Sequence, residues 1–382
     1  MLKRYRLRAL AGLAALTLSS VQAADSVKVG VSFSTTGPAA SLGIPSRQVI
    51  ELLPRELGGL PAEYIVLDDG TDASTAAKNG RRFVEEGMDA IIGSNTVPTS
   101  VAISAIAVET QTPQIGVSAA APRPEHMEWV FSIPQTVDVM NTRLFSDMKE
   151  RGIKRLAFIG FTGGYGDVWL QDVQARSKDE GIELVSVQRY ERTDQSVTGQ
   201  TLRMLSARPD AVFIAASGTP GVLPMKELKA RGFKGPIYQT HGMANNDVLR
   251  LAGRHADGML LPTGPVLVAE DLPDSHPSKS VALTFLELYE GKYGAGSRDN
   301  FAAYAYDAYL LLDKAVAEAV ESGAKPGTQE FRTAIRDAIE ATEEFPVTHG
   351  VINMSPSQHA GFDQRAAVLI TAEKGRWKPL DQ

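Results

Sequence analysis

Cysteine is absent from all 382 residues. Disulfides, zinc–thiolate sites, iron–sulfur clusters and cysteine nucleophiles are thereby excluded, and so is a lipid-modified cysteine after an export signal. Histidine is sparse. The six, at 126, 241, 255, 276, 349 and 359, have no metal-ligand spacing, so no metal site is expected. His349 and His359, in the tail, are read as surface residues. There is no excess of positive charge: the net charge is −6, which argues against nucleic acid and against an anionic membrane surface. No G-x-x-x-x-G-K-[ST] or G-x-S-x-G sequence occurs. "GFTGGYG" (160–166) follows a strand and precedes a helix but lacks the G-x-G-x-x-G spacing, so nucleotide binding is not expected. Nothing supports a Ser-His-Asp triad. No cofactor and no enzymatic activity are expected.

Long apolar runs are also missing, with one exception. The basic head Met1–Arg8 leads into the apolar stretch Ala9–Leu18, then Ser19-Ser20 and Val21-Gln22-Ala23. That is the layout of a secretory signal peptide over 1–23. Its apolar core is about half of the ~20 residues that span a bilayer, so it is read as cleaved. The mature chain is expected free in the periplasm of a Gram-negative cell, not as a lipoprotein. At 43% hydrophobic and 22% charged residues it has ordinary globular composition. Its length calls for two domains at ~100–200 residues each.

Short β-branched apolar runs bounded by Gly or Pro alternate with helical stretches, the pattern of doubly wound parallel α/β sheets. Strands are expected at Val27–Ser32, Tyr64–Asp68, Asp89–Ile92 and Gln114–Val117. Helices are expected at Gly43–Leu57, Ala73–Glu86 with Asp72 as N-cap, and Thr99–Thr110. The pattern then restarts at Leu156–Gly160. "EEGMDAIIGSNTVPTS" echoes "SARPDAVFIAASGTPG", with Asp89 and Asp210 in matching places, so two lobes of one topology are expected. Helices at Ser280–Tyr293, Asn300–Glu321 and Gln329–Glu340 precede a tail of short strands. The aromatic stripe of "FAAYAYDAYLLLDKAV" (301–316) is read as core packing rather than ligand contact.

Five segments, "VKVGVSFSTTGPAASLG", "LDDGTDASTAAKNGRRFVEEGMDAIIGS", "TPQIGVSAAAPRP", "GGYGDVW" and "AGRHADGMLLPTGP", resemble periplasmic binding proteins of the leucine/isoleucine/valine type, in order and across nearly all of the mature chain. These serve ATP-driven (ABC) importers. The resemblance implies the type I periplasmic binding protein fold: two α/β lobes joined by three crossovers, with a ligand held between them. It assigns 24–135 plus 267–348 to the first lobe and 136–266 plus 349–382 to the second. It also implies delivery of a small carboxylate to membrane permease subunits; a monomer is expected.

Ligands of open α/β sheets bind at the carboxyl ends of strands, where helix N-termini suit carboxylates. The resemblance assigns the ligand carboxylate to two such loops. One is Ser94–Ser100, with Thr96 and Thr99; the other follows a strand at Ser118, Ala119 and Ala120. It assigns Tyr165 the aromatic that closes over the ligand. Three positions depart from the family pattern. Leu42 and Ser217 stand where relatives often carry larger rings. His241 stands where amino-acid binders place an acid beside the α-ammonium; Asp247 could take that role if the register slips. The disulfide of amino-acid binders is replaced by Thr71 and Thr96. An imidazole cannot replace that acid: neutral, it offers an ammonium one acceptor and no compensating charge, and protonated, it repels it. The ligand expected from these departures is an aromatic monocarboxylate of the benzoate, hydroxybenzoate or phenylpropanoid type, with a branched-chain or other neutral amino acid, or a sensor's ligand, as the alternatives.

Overall fold

Val27–Phe33 is buried on both faces along nearly its whole length, the environment of a central parallel strand. It forms β1 in a computed structural model that describes residues 26–119 and 128–380. The signal segment and Ala120 lie outside the described residues. Around β1 a six-stranded sheet is built from β2 (Glu56–Leu57), β3 (Leu60–Asp68), β4 (Ala90–Gly93), β5 (Gln114–Gly116) and β6 (Val130–Ser132), in the order β2-β3-β1-β4-β5-β6. All its pairs are parallel except the β2–β3 hairpin. Helices α1 (Ala40–Ile50), α2 (Ala73–Glu85) and α3 (Val97–Glu109) connect its strands. Asp72 caps α2, accepting the Thr75 N–H at 2.8 Å.

The second sheet follows α4 (Val137–Glu150). Its strands are β7 (Arg155–Phe161), β8 (Glu183–Tyr190), β9 (Ala211–Ala215), β10 (Ile237–Gln239) and β11 (Leu260–Thr263), linked by α5 (Gly164–Asp179), α6 (Thr198–Ser206), α7 (Val222–Ala230) and α8 (Asn246–Ala252). Three helices return to the first sheet: α9 (Lys279–Tyr293), α10 (Asn300–Glu321) and α11 (Gln329–Glu340). After the β12 (Phe345–Val347) and β13 (Gly350–Ile352) pair, β14 (Val368–Glu373) and β15 (Arg376–Pro379) complete the order β15-β14-β11-β10-β9-β7-β8. The chain thus passes between two doubly wound lobes three times. Among the described residues no helix is long and apolar enough to cross a membrane.

The repeat seen in the sequence has a physical basis. Asp89, just before β4, accepts the Lys28 N–H at the start of β1 at 3.0 Å. Asp210, just before β9, accepts the Lys154 and Arg155 N–H groups at the start of β7 at 2.9 and 2.8 Å. Each carboxylate ties the first strand of its lobe to a neighbouring strand.

Three expectations need correction. The helix expected to Leu57 ends at Ile50, because Pro54 cannot be extended through and the residue before it is driven out of the α region; Glu56–Leu57 turns into β3 through Gly58 and Gly59, both at positive φ. The tail histidines are buried, not on the surface. The His349 Nδ1 lies 2.7 Å from Asp307 and its Nε2 2.8 Å from Asn300, and the ring stacks on Tyr304 at 4.0 Å. His359 stacks on Phe131 at 4.2 Å. Strand β6 and helix α4 are additional to the elements that the sequence pattern predicts.

Candidate ligand-binding site

The carboxyl ends of both sheets face one cavity of about 270 Å³. Its lining comes from residues immediately past the strand ends: Thr96 after β4, Ser118 and Ala119 after β5, Tyr165 after β7, Arg192 after β8, Ser217 after β9 and His241 after β10. Leu42, from the first turn of α1, also lines it. The sequence-derived residues therefore meet in one place, with two exceptions. Thr99 is fully buried behind Thr96 and does not reach the cavity; its Oγ1 accepts the Thr96 N–H at 3.3 Å and lies 2.7 Å from Thr96 Oγ1. Its hydroxyl is consumed by capping α3, and Pro98 removes a further donor there. Ala120 lies outside the described residues.

Two glycines let the walls approach. A Cβ on Gly166 would lie 1.9 Å from the Phe161 carbonyl oxygen, so the first turn of α5 folds tightly over the end of β7 and turns Tyr165 into the cleft. Gly218 has φ +65°, and a Cβ there would lie 2.4 Å from Leu42; the second lobe touches the first at this point. Nearby, Pro45 leaves the Ser41 carbonyl without its intrahelical N–H partner. Asn245 supplies one, donating to Ser41 O at 2.6 Å and to Asp299 Oδ2 at 2.9 Å.

Tyr165 donates to Thr240 Oγ1 at 2.8 Å, and burial pushes its hydroxyl up to about 12. His241 is 2% exposed, with its Nδ1 unpartnered. Burial, reinforced by His349, pushes its imidazole down to about 3, so it is neutral at physiological pH. Asp247 does not line the cavity; it pairs with Arg250 at 2.8 Å.

Arg192 was missed by sequence reasoning, although it stands at a strand end just as Tyr165 does. Its guanidinium lies 4.3 Å over the Phe161 ring and donates to Ser217 O at 3.1 Å and Ser217 Oγ at 2.9 Å. Burial lowers it to about 10, which leaves it cationic. Among the described residues no carboxylate forms an ion pair with it. Phe301 and Tyr304, read as core, are buried and yet line the cavity; the helical stripe serves both purposes. Among the described lining residues the one acid, Glu191, is exposed.

A family profile described as periplasmic binding protein matches residues 26–375. The chain belongs to the periplasmic binding protein family. Leucine/isoleucine/valine-binding proteins are among its relatives. It is 40% identical to an extracellular ligand-binding receptor of Rhodopseudomonas palustris HaA2, over 94% of this chain and 100% of that one, with a TM-score of 0.91. It is 25% identical to the Leu/Ile/Val/Thr-binding protein of Salmonella typhimurium, over 66% of this chain and 72% of that protein. An ABC-transporter solute-binding protein of R. palustris, solved in complex with benzoate, shares the fold with a TM-score of 0.78 at 20% identity, over 93% of this chain and 95% of that one. Proteins of this family are periplasmic, bind small molecules and work with ABC transporters.

Proposed function

We propose that this chain is the periplasmic solute-binding component of an ABC importer of the branched-chain amino acid type, and that it captures a small aromatic monocarboxylate. One observation carries the reading. Among the described residues, the buried lining combines aromatic rings with the guanidinium of Arg192 and contains no carboxylate. Such a wall compensates an anion and leaves an α-ammonium unpaired, which costs several kcal/mol when desolvated. The exposed Glu191 sits where solvent screens it. The benzoate complex of the R. palustris protein fits the same reading.

In this reading Leu42, Thr96, Ser118, Ala119 and Ala120 belong to the ligand surface of the first lobe, 24–135 plus 267–348. Tyr165, Ser217 and His241 belong to that of the second, 136–266 plus 349–382. Thr99 acts by holding Thr96. Ligand contacts on both lobes favour the closed form, and the permease reads that form. The segment 1–23 is removed on export, the mature protein carries no lipid and acts as a monomer, and the bound ligand leaves unchanged.

The test is a thermal shift on ligand-stripped protein with two panels, aromatic monocarboxylates and neutral α-amino acids. A ligand that binds only the native state raises Tm by mass action. Stabilisation by aromatic acids alone is expected. Stabilisation by leucine, isoleucine or valine alone would overturn the reading and restore the amino-acid alternative.

A further inference from the structure

The polar atoms of the cavity lining are mostly spent. Tyr165 donates to Thr240, Tyr304 donates to Gln135 at 2.6 Å, and Thr96 is engaged by Thr99. Among the described residues, two buried side-chain atoms of lining residues have no partner: Ser118 Oγ and His241 Nδ1. They come from opposite lobes, one after β5 and one after β10. An unpaired buried polar atom carries a desolvation cost that a hydrogen bond from a ligand relieves.

The cation is elsewhere. Arg192 also borders a groove that opens beside Pro38 and Thr219, which puts it near the mouth. A row of rings leads inward from it. Phe161 and Tyr165 are 6.4 Å apart, Tyr165 and Trp169 6.2 Å, and Trp169 and His241 5.6 Å. Guanidinium and imidazole thus stand at opposite ends of an aromatic row. A carboxylate belongs at the charged end, since a buried neutral imidazole cannot compensate it. A hydroxyl suits the other end: it can donate to a bare imidazole nitrogen and accept from a serine hydroxyl.

We propose that the ligand is a ring-hydroxylated aromatic acid lying along this row, its carboxylate on Arg192 and its phenolic hydroxyl between His241 and Ser118. This rests on the aromatic-acid reading above and reverses the orientation in which the first-lobe loops hold the carboxylate.

Calorimetric titration of the mature protein with two matched pairs tests it: 4-hydroxybenzoate against benzoate, and 4-hydroxycinnamate against cinnamate. In at least one pair the hydroxylated acid should bind about tenfold tighter, the size of one well-made buried hydrogen bond. His241→Phe should abolish that preference, bringing the two members of each pair to equal affinity. Arg192→Gln should weaken both members about tenfold or more and keep the preference, as loss of a charge-assisted contact requires. Ser118→Ala should also shrink the preference, so the test stands if His241→Phe does not fold. Equal binding within both pairs, a preference that survives His241→Phe, or undiminished binding in Arg192→Gln would overturn the inference while leaving aromatic-acid capture intact. Failure of every aromatic acid to bind would overturn both.

Discussion

The neutral state of His241 has a measurable cost in acid. Its imidazole is 2% exposed, and burial, then the nearby His349, lowers it from 6.5 to about 3. The unfolded chain takes up a proton at this residue below about pH 6.5 and the folded chain does not. Stability is therefore fully present above that pH and lost progressively as pH falls toward 3. At pH 5 the loss is about 1.5 pH units at 1.36 kcal/mol each, or about 2 kcal/mol. Other groups titrate in this range. Asp299, raised to about 7 by burial, works in the opposite sense, its contribution being lost as pH rises. A difference between two proteins isolates His241. Urea unfolding of wild type and His241→Leu at pH 7.5 and pH 5 should show wild type losing about 2 kcal/mol more than the variant. A difference under about 0.5 kcal/mol, or an NMR titration of His241 with a midpoint near 6.5, would refute the argument.

Two further outcomes are expected. Tyr165→Ala removes a wall that the second lobe brings to the ligand, so ligand should produce less compaction in X-ray scattering than in wild type; identical compaction would remove Tyr165 from the closing contact. Asn245→Ala deletes the cap of α8 and the bridge from Ser41 to Asp299. A lost cap and unpaired buried acceptors should together cost about 2–4 kcal/mol in urea unfolding, and a loss below about 1 kcal/mol would show that solvent replaces the bridge.

The alternation of elements was legible in the sequence because each buried strand is a short β-branched run with glycine or a helix cap at its end. The loops that meet in the cavity were legible for a related reason: in an α/β sheet they follow strand ends. What stayed hidden depends on three dimensions. Arg192 reads as one exposed-looking charge in "RYERTD", and only the fold puts Phe161 beneath it and Ser217 beside it. Thr99 reads as a ligand hydroxyl, but its neighbour Thr96 claims it. Phe301 and Tyr304 obey core periodicity because their helix is core; that one edge of it borders the cavity is set by where α10 starts. His349 and His359 lie in a polar tail, and their burial follows from partners more than 40 residues away, Asp307 and Phe131.

The row of rings beside the cavity also carries an optical label. Of the three tryptophans in the chain, Trp169 alone packs against both Tyr165 and His241, while Trp129 lies under Arg336 and Trp377 on the β14–β15 edge. Neutral imidazole quenches indole emission less than its protonated form does, and a phenol or carboxylate arriving next to Tyr165 alters the field around the indole. Occupancy should therefore be readable as a change in native fluorescence, without dye or tag, and Trp169→Phe should silence it.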